Sequence, residues 1–192
     1  RRCAEAVASA MGIDPQSVML ASTGVIGEVL PDDKITPHIA PMLAAASTDV
    51  SHWHAAADAI LTTDTFAKAI SRKTHIGDTE VTITGIAKGS GMIAPDMATM
   101  LGFLATDADL PPAVLQDVLT RVNEESFNAI TVDGDTSTSD TVILAATGIA
   151  DHIAVTSADD AHLSDFIDAL RTVMTELAIL IVKDGEGATK LI

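Results

Sequence analysis

The sequence predicts a mixed α/β fold. Apolar residues recur at helical spacing in some segments and alternate with period two in others, and the two kinds succeed one another with Gly-rich loops between them. "RCAEAVASAMG" places Cys3, Ala6, Val7, Ala10 and Met11 on one helical face and ends on Gly12 as a C-cap, before an Asp14-Pro15 turn. "SVMLAST" reads as a buried strand ending at Thr23-Gly24, with "VIGEVLPDD" as a loop beyond it. "ITPHIAPMLAAAS" and "SHWHAAADAILTTD" are helix candidates, the first bent or ended at Pro41. "TEVTITGIAKG" alternates: Val81, Ile83 and Gly85 fall on one side, and Thr82, Thr84 and Ile86 on the other. "MLGFLATDA" is a further strand. "LPPAVLQDVLTRVNEE" is a helix with proline in its first turn and Val114, Leu115, Val118, Leu119 and Val122 at helical spacing. "DTVILAATG" reads as a buried strand, and "HLSDFIDALRTVMTELAILIV" as the longest helix, running into the loop "KDGEGATK". No internal repeat and no low-complexity linker interrupts this order.

The bulk composition narrows the function classes. A chain of 192 residues, 47% of them hydrophobic, can bury a sizeable core as one large domain or two small lobes. Only 3% are aromatic and Tyr is absent, so the core is aliphatic and the stacking platforms of single-strand nucleic-acid binders are missing. A net charge of -16 repels phosphate backbones and anionic membrane surfaces, which argues against nucleic-acid and membrane partners. The lone Cys3 rules out an internal disulfide framework and fits a reducing compartment, the cytoplasm. No apolar run reaches the roughly eighteen residues of a membrane span, and the N-terminus lacks a signal-peptide layout. Because the chain opens with Arg1 inside a helical pattern and stops at "TKLI" with no turn signal, we expect a segment of a longer protein.

Several motifs invite a ligand. In "HWH", His52 and His54 stand two apart, on different faces of a helix, and the other histidines have no Cys partners; no metal site is expected. "DGDTSTSD" (133 to 140) begins like a calcium loop with Asp133, Asp135 and Ser137, but Thr138 stands where the sharp turn needs Gly and Leu144 occupies the twelfth position, which excludes an EF-hand. Its hydroxyls and carboxylates either line a polar pocket or cap the next strand, and both alternatives stay open. "KGSG" and "DGEG" lack the spacing of a phosphate-binding loop.

"KGSGMIAPDMATML" (88 to 101) holds Thr99 directly after small Ala98. A hydroxyl nucleophile needs a neighbouring base, and a threonine freed at its N-terminus carries one in its own α-amine, which titrates near about 7.7 to 8.0 in peptides. The glycines and Pro95 suit an irregular, accessible bond before Thr99. On spacing alone a buried threonine after a turn is ordinary, and that reading outweighs the catalytic one.

Five blocks in order, "STGVIGE" (22 to 28), "TTDT" (62 to 65), "KGSGMIAPDMATML" (88 to 101), "FNAITVDGDTSTSDT" (127 to 141) and "VKDGEGATK" (182 to 190), resemble the ornithine acetyltransferase family, also called bifunctional glutamate N-acetyltransferase, of arginine biosynthesis. They span nearly the whole chain, which looks like the middle portion of longer family members. The resemblance implies a layered α/β sandwich of the N-terminal-nucleophile type. It implies self-cleavage between Ala98 and Thr99, so that residues 1–98 belong to an α chain and 99–192 to a β chain of one catalytic domain, assembled as a heterotetramer. Thr99 would take the acetyl group from N-acetylornithine and pass it to glutamate, with Thr23 and Gly24 as the oxyanion hole. Lys88, Thr63 and Glu186 match substrate-binding positions: Lys88 for a carboxylate, Glu186 for an ammonium group. No cofactor is implied, with acetyl-CoA as a further candidate co-substrate.

This chain departs from the family pattern at Asp96 (usually Asn), Ala129 (usually Arg) and Ser139 (usually Asn), and it lacks the C-terminal segment that adds substrate contacts. Two alternatives follow from the residues: an N-terminal-nucleophile aminopeptidase or amidase, with water as the acyl acceptor, and a non-catalytic acidic module binding a cation at "DGDTSTSD".

Overall fold

A computed structural model describes residues 1–25, 27–93, 100–134 and 137–190. The chain forms two compact units, Arg1–His52 and Trp53–Ile192. The first is helical. Helix α1 (Arg2–Met11) ends as expected at Gly12, whose φ of 69° permits its N–H to reach the Ala8 carbonyl. Ala8 is the buried residue of α1, while Ala10 and Met11 in its last turn are exposed. Arg2 pairs with Asp32 at 2.5 Å, tying α1 to a 3-10 turn at Asp32–Lys34. A second such turn, Thr36–His38, leads into α2 (Ile39–Ala44), which begins two residues before Pro41 and ends within a turn of it. Helix α3 (Val50–Ala59) follows, and the boundary between the units falls in its first turn.

The strand expected over "SVMLAST" does not form. Residues 18–23 run as coil after a 3-10 turn at Pro15–Ser17, with Met19 66% and Leu20 52% exposed. A strand needs a neighbour to satisfy its backbone groups, and among the described residues all four strands belong to the second unit. A short apolar run without periodicity carries no information about whether such a neighbour exists.

In the second unit, β1 (Lys68–Ile76), β2 (Thr79–Lys88), β3 (Leu101–Thr106) and β4 (Thr141–Ala146) form one sheet in that order. The β1–β2 hairpin turns on Gly77-Asp78, with Gly77 at φ 58°, and pairs Lys68 with Ala87. β3 is antiparallel to β2 and parallel to β4, and α4 (Pro112–Glu124) makes the crossover that a parallel pair requires. β1 has no counterpart in the sequence analysis. It is an edge strand with Arg72, Lys73 and His75 in its middle, the charged composition that protects edges and erases alternation. β4, expected to be buried, is the other edge; of its residues only Leu144 is buried.

Helix α5 (Ser164–Lys183) packs on β1, β2 and α4. Phe166, Leu170, Val173, Met174, Leu177, Ala178 and Ile181 are buried, at offsets of 4, 7, 8, 11, 12 and 15 from the first, which is one continuous helical face. Val114, Val118 and Val122 of α4 repeat every four residues against the same core. At about 1.5 to 3 kcal/mol for each large side chain withdrawn from water, this apolar layer is what fixes α5 on the sheet. The α/β class expected from the sequence is what the structure shows.

Gly85 marks the closest approach of helix and sheet: a Cβ there would stand 2.9 Å from Leu177 Cδ1 and 3.3 Å from Leu104 Cδ2. Gly85→Val therefore overpacks this contact and should lower unfolding stability by about 1 to 3 kcal/mol in a urea titration, with Gly85→Ala milder because the Leu177 tip can turn away.

Candidate active site

Four of the five sequence blocks meet at one end of the sheet, where a buried lysine organises them. Lys68 opens β1 with no exposed surface, and its ammonium donates to Asp64 Oδ1 at 2.8 Å, Asp184 Oδ2 at 2.6 Å and the Phe66 carbonyl at 3.3 Å. It also lies 4.7 Å from the Phe66 ring centroid. Each carboxylate then holds backbone. Asp64 accepts from Gly89 N–H at 2.7 Å and Thr62 N–H at 3.2 Å, while Asp184 accepts the N–H and the hydroxyl of Thr65. Asp64 thus joins "TTDT" to "KGSG", and Asp184 joins "TTDT" to "DGEG". Burial pushes both carboxyls up, but the ammonium and the donated N–H and O–H groups outweigh it and hold both below the usual carboxylate range.

The candidate substrate residues hang from this frame. Thr63 Oγ1 and Ser90 Oγ share a hydrogen bond of 2.7 Å, and the Ser90 carbonyl accepts from Glu186 N–H at 2.7 Å. Glu186 is exposed, and its carboxyl lies against Gly91: a Cβ on that glycine would stand 3.3 Å from Glu186 Cδ and 3.2 Å from Asp133 Oδ2. A side chain at this position would crowd both carboxylates. Met92, at φ 56°, turns its N–H to Asp133 Oδ2 at 3.1 Å, and Ile93 bridges to Val132, which brings "VDGD" to the same place. Lys88 is 2% exposed. Burial pulls its ammonium below the usual lysine range, Asp64 and Asp140 oppose that, and Lys68 adds to it. Among the described residues none accepts a hydrogen bond from Lys88.

Asp140 completes the group. Its Oδ1 accepts the Met100 N–H at 2.8 Å, and its Oδ2 is buried without a partner among the described residues. Burial pushes this carboxyl up to about 6, against the Met100 N–H and the Lys88 charge. It also lines a cavity of about 300 Å³ between α4, the start of β4 and Met100. In the segment "DGDTSTSD", Asp133 and Asp140 accept backbone N–H groups of Met92 and Met100, not of the strand that follows, and Asp140 lines the cavity.

Thr63 and Glu186 are brought together through Ser90, and Lys88 directly precedes Gly89, whose N–H Asp64 holds. Thr23, half-buried, and Gly24, exposed, lie in the first unit, in coil. Thr99 and Ala98 lie outside the described residues, as do Asp96, Asp135 and Thr136. Ala129 ends a 3-10 turn at Phe127–Ala129, and Ser139 donates its N–H to Ser137 Oγ. Among the described residues no three His, Cys, Asp or Glu side chains are grouped to hold a metal ion, and no helix is long and apolar enough to cross a membrane. Asp64, Lys68, Ser90, Asp140 and Asp184 are site residues that sequence reasoning missed. Asp64, Ser90, Asp140 and Asp184 stand inside the quoted blocks, a signal that was present, whereas Lys68 has none.

Lys68→Met leaves Asp64 and Asp184 buried without their cation, and should cost about 3 to 5 kcal/mol of unfolding stability at neutral pH. In the wild type both carboxyls are depressed, so their contribution is full above the unfolded value of about 3.9 and is lost as the pH falls through the folded values. The difference between variant and wild type should therefore shrink on titration below about pH 4 in the same denaturation assay.

The sequence matches the model of the ArgJ family over residues 1–192. It is 54% identical over 99% of its length to the arginine biosynthesis bifunctional protein ArgJ of Gluconobacter oxydans, and 50% identical over 98% to that of Agrobacterium fabrum; it covers 44% and 46% of these relatives. The chain thus spans about half the length of the relatives it matches. Among solved structures, the ArgJ protein of Bacillus halodurans is 43% identical over 44% of this chain and 39% of its own, with a TM-score of 0.41. A match along the whole chain at this identity leaves no room for another assignment: the chain belongs to the ArgJ family.

Proposed function

We propose that the protein of which this chain is part is a glutamate N-acetyltransferase of arginine biosynthesis, acting through an acetyl-threonine intermediate on Thr99. The observation that carries it is the meeting of Thr63, Glu186 and the loop that follows Lys88 on one buried frame, whose hydrogen bonds join residues up to 119 apart in a chain of the ArgJ family. Cleavage between Ala98 and Thr99 divides the precursor into an α chain, to which 1–98 belongs, and a β chain, to which 99–192 belongs, and the pairs assemble as a heterotetramer in the cytoplasm.

The steps follow from the residue chemistry. The freed α-amine of Thr99 takes the hydroxyl proton as the oxygen attacks the acetyl carbonyl of N-acetylornithine. The Thr23 hydroxyl and Gly24 N–H stabilise the negative oxygen that develops, and the amine returns the proton to the departing nitrogen. Lys88 pairs with the substrate carboxylate and Glu186 with the ornithine side-chain ammonium. Ornithine leaves, and the glutamate amine then attacks the ester by the reverse sequence. Acetyl-CoA is a second donor to the same threonine, and no cofactor enters the cycle.

Two measurements on the full-length protein test this. Intact mass should resolve two chains for the wild type, the second beginning TMLGF, and one uncleaved chain for Thr99→Ala; cleavage of the alanine variant at that bond ends the nucleophile assignment. Initial rates of acetyl transfer from N-acetylornithine, plotted double-reciprocally at several glutamate concentrations, should give parallel lines, because ornithine must leave before glutamate reacts. Intersecting lines would replace the acyl-enzyme by a ternary complex, and acetate release independent of glutamate would make the protein a hydrolase.

A further inference from the structure

Thr63 and Glu186 are both exposed, yet one buried residue seats the two of them. Ser90 keeps 2% of its surface. Its hydroxyl shares the 2.7 Å hydrogen bond with Thr63 Oγ1, and its carbonyl oxygen accepts the Glu186 N–H at 2.7 Å. The side chain of Ser90 therefore meets one candidate substrate contact and its main chain meets the other.

Ser90 itself has little freedom. The Gly89 N–H before it goes to Asp64 Oδ1 at 2.7 Å, and after it the Met92 N–H goes to Asp133 Oδ2 at 3.1 Å and the Ile93 N–H to the Val132 carbonyl at 2.7 Å. Residues 89–93 are thus anchored on both sides of Ser90, to "TTDT" at one end and to "VDGD" at the other. A hydroxyl on such a segment is a fixed point.

Thr63 is held differently. Its neighbours fix its backbone, with the Thr62 N–H on Asp64 Oδ2 at 3.2 Å and Asp64 Oδ1 on Lys68 at 2.8 Å. Backbone alone does not orient an exposed threonine, because the torsion about Cα–Cβ has three staggered wells and the hydroxyl points in a different direction in each. A hydrogen bond with a buried, immobile partner selects one of them before any ligand arrives.

We propose that Ser90 is a positioning residue for the acetyl donor. Its hydroxyl holds the Thr63 hydroxyl in the orientation that meets N-acetylornithine, and its carbonyl holds the Glu186 backbone where the carboxylate reaches the side-chain ammonium. The role rests on Thr63 and Glu186 being substrate contacts, as proposed above. Because the two ties leave from different atoms, substitution separates them: Ser90→Ala removes the tie to Thr63 and retains the carbonyl that holds Glu186.

Steady-state kinetics of the full-length protein with saturating glutamate test this. Ser90→Ala should raise the KM for N-acetylornithine about three- to tenfold, since a threonine free to occupy three wells presents the productive one about a third of the time or less. Its kcat should change by less than about twofold. An unchanged KM, or a loss confined to kcat, overturns the role.

Two comparisons separate positioning from a general loosening of the site. In Thr63→Val the partner hydroxyl is already gone, so adding Ser90→Ala should cost nothing more, and a double variant whose KM carries both single effects multiplied overturns the proposal. N-acetylnorvaline, which has the same carbon skeleton without the side-chain ammonium, reports on Glu186. The ratio of its KM to that of N-acetylornithine should fall towards one in Glu186→Gln and keep its wild-type value in Ser90→Ala. A ratio that collapses in Ser90→Ala means that the whole frame has shifted, and overturns the selective role while Thr63 and Glu186 stand. Thr63→Val with a wild-type KM removes Thr63 as a contact and the role of Ser90 with it. A wild-type protein that transfers no acetyl group from N-acetylornithine to glutamate removes the acetyltransferase reading beneath both.

Discussion

The site depends on one buried ammonium. Lys68 has no solvent contact and sits between two carboxylates that are themselves almost wholly buried, at 2.8 and 2.6 Å. Such a group is a poor source of net stability, because withdrawing three charges from water costs about as much as their attraction returns. What it supplies is position. Neither carboxylate can leave the lysine without stranding a charge, and each also holds backbone N–H groups of a neighbouring loop. Through Asp64 the loop at Gly89 is fixed, and through Asp184 the loop that leads to Glu186. The apolar face of α5 brings the helix to the sheet, and the ion cluster decides where the three loops at its end come to rest.

This division explains what was legible in the sequence. Elements whose apolar residues face one large surface show their period, so α4, α5, β2 and β3 are readable from spacing alone. β1 is not, because an edge strand bearing Arg72 and Lys73 is protected from pairing by the residues that hide its pattern. "SVMLAST" misleads in the other direction, since its apolar run is as compatible with coil as with a strand until a neighbour is known. At the site, the Gly-rich blocks were visible as blocks, while the reason they lie together was not. A lysine is ordinarily a surface residue, and no local pattern distinguishes Lys68 from a solvated charge.

The two buried lysines of the hairpin show how sheet register gives neighbouring cations different settings. Lys68 pairs with Ala87, so it shares that residue's face, and Lys88, the next residue, is turned by the pleat to the other. On the first face the cation is met by Asp64 and Asp184 and its charge is consumed in holding loops. On the second, no described side chain accepts from Lys88, and Asp64 and Asp140 act on it as charges only. In a chain of net charge -16, a distant anion is repelled. A carboxylate substrate is therefore favoured only by a local positive centre that structural partners have not already neutralised.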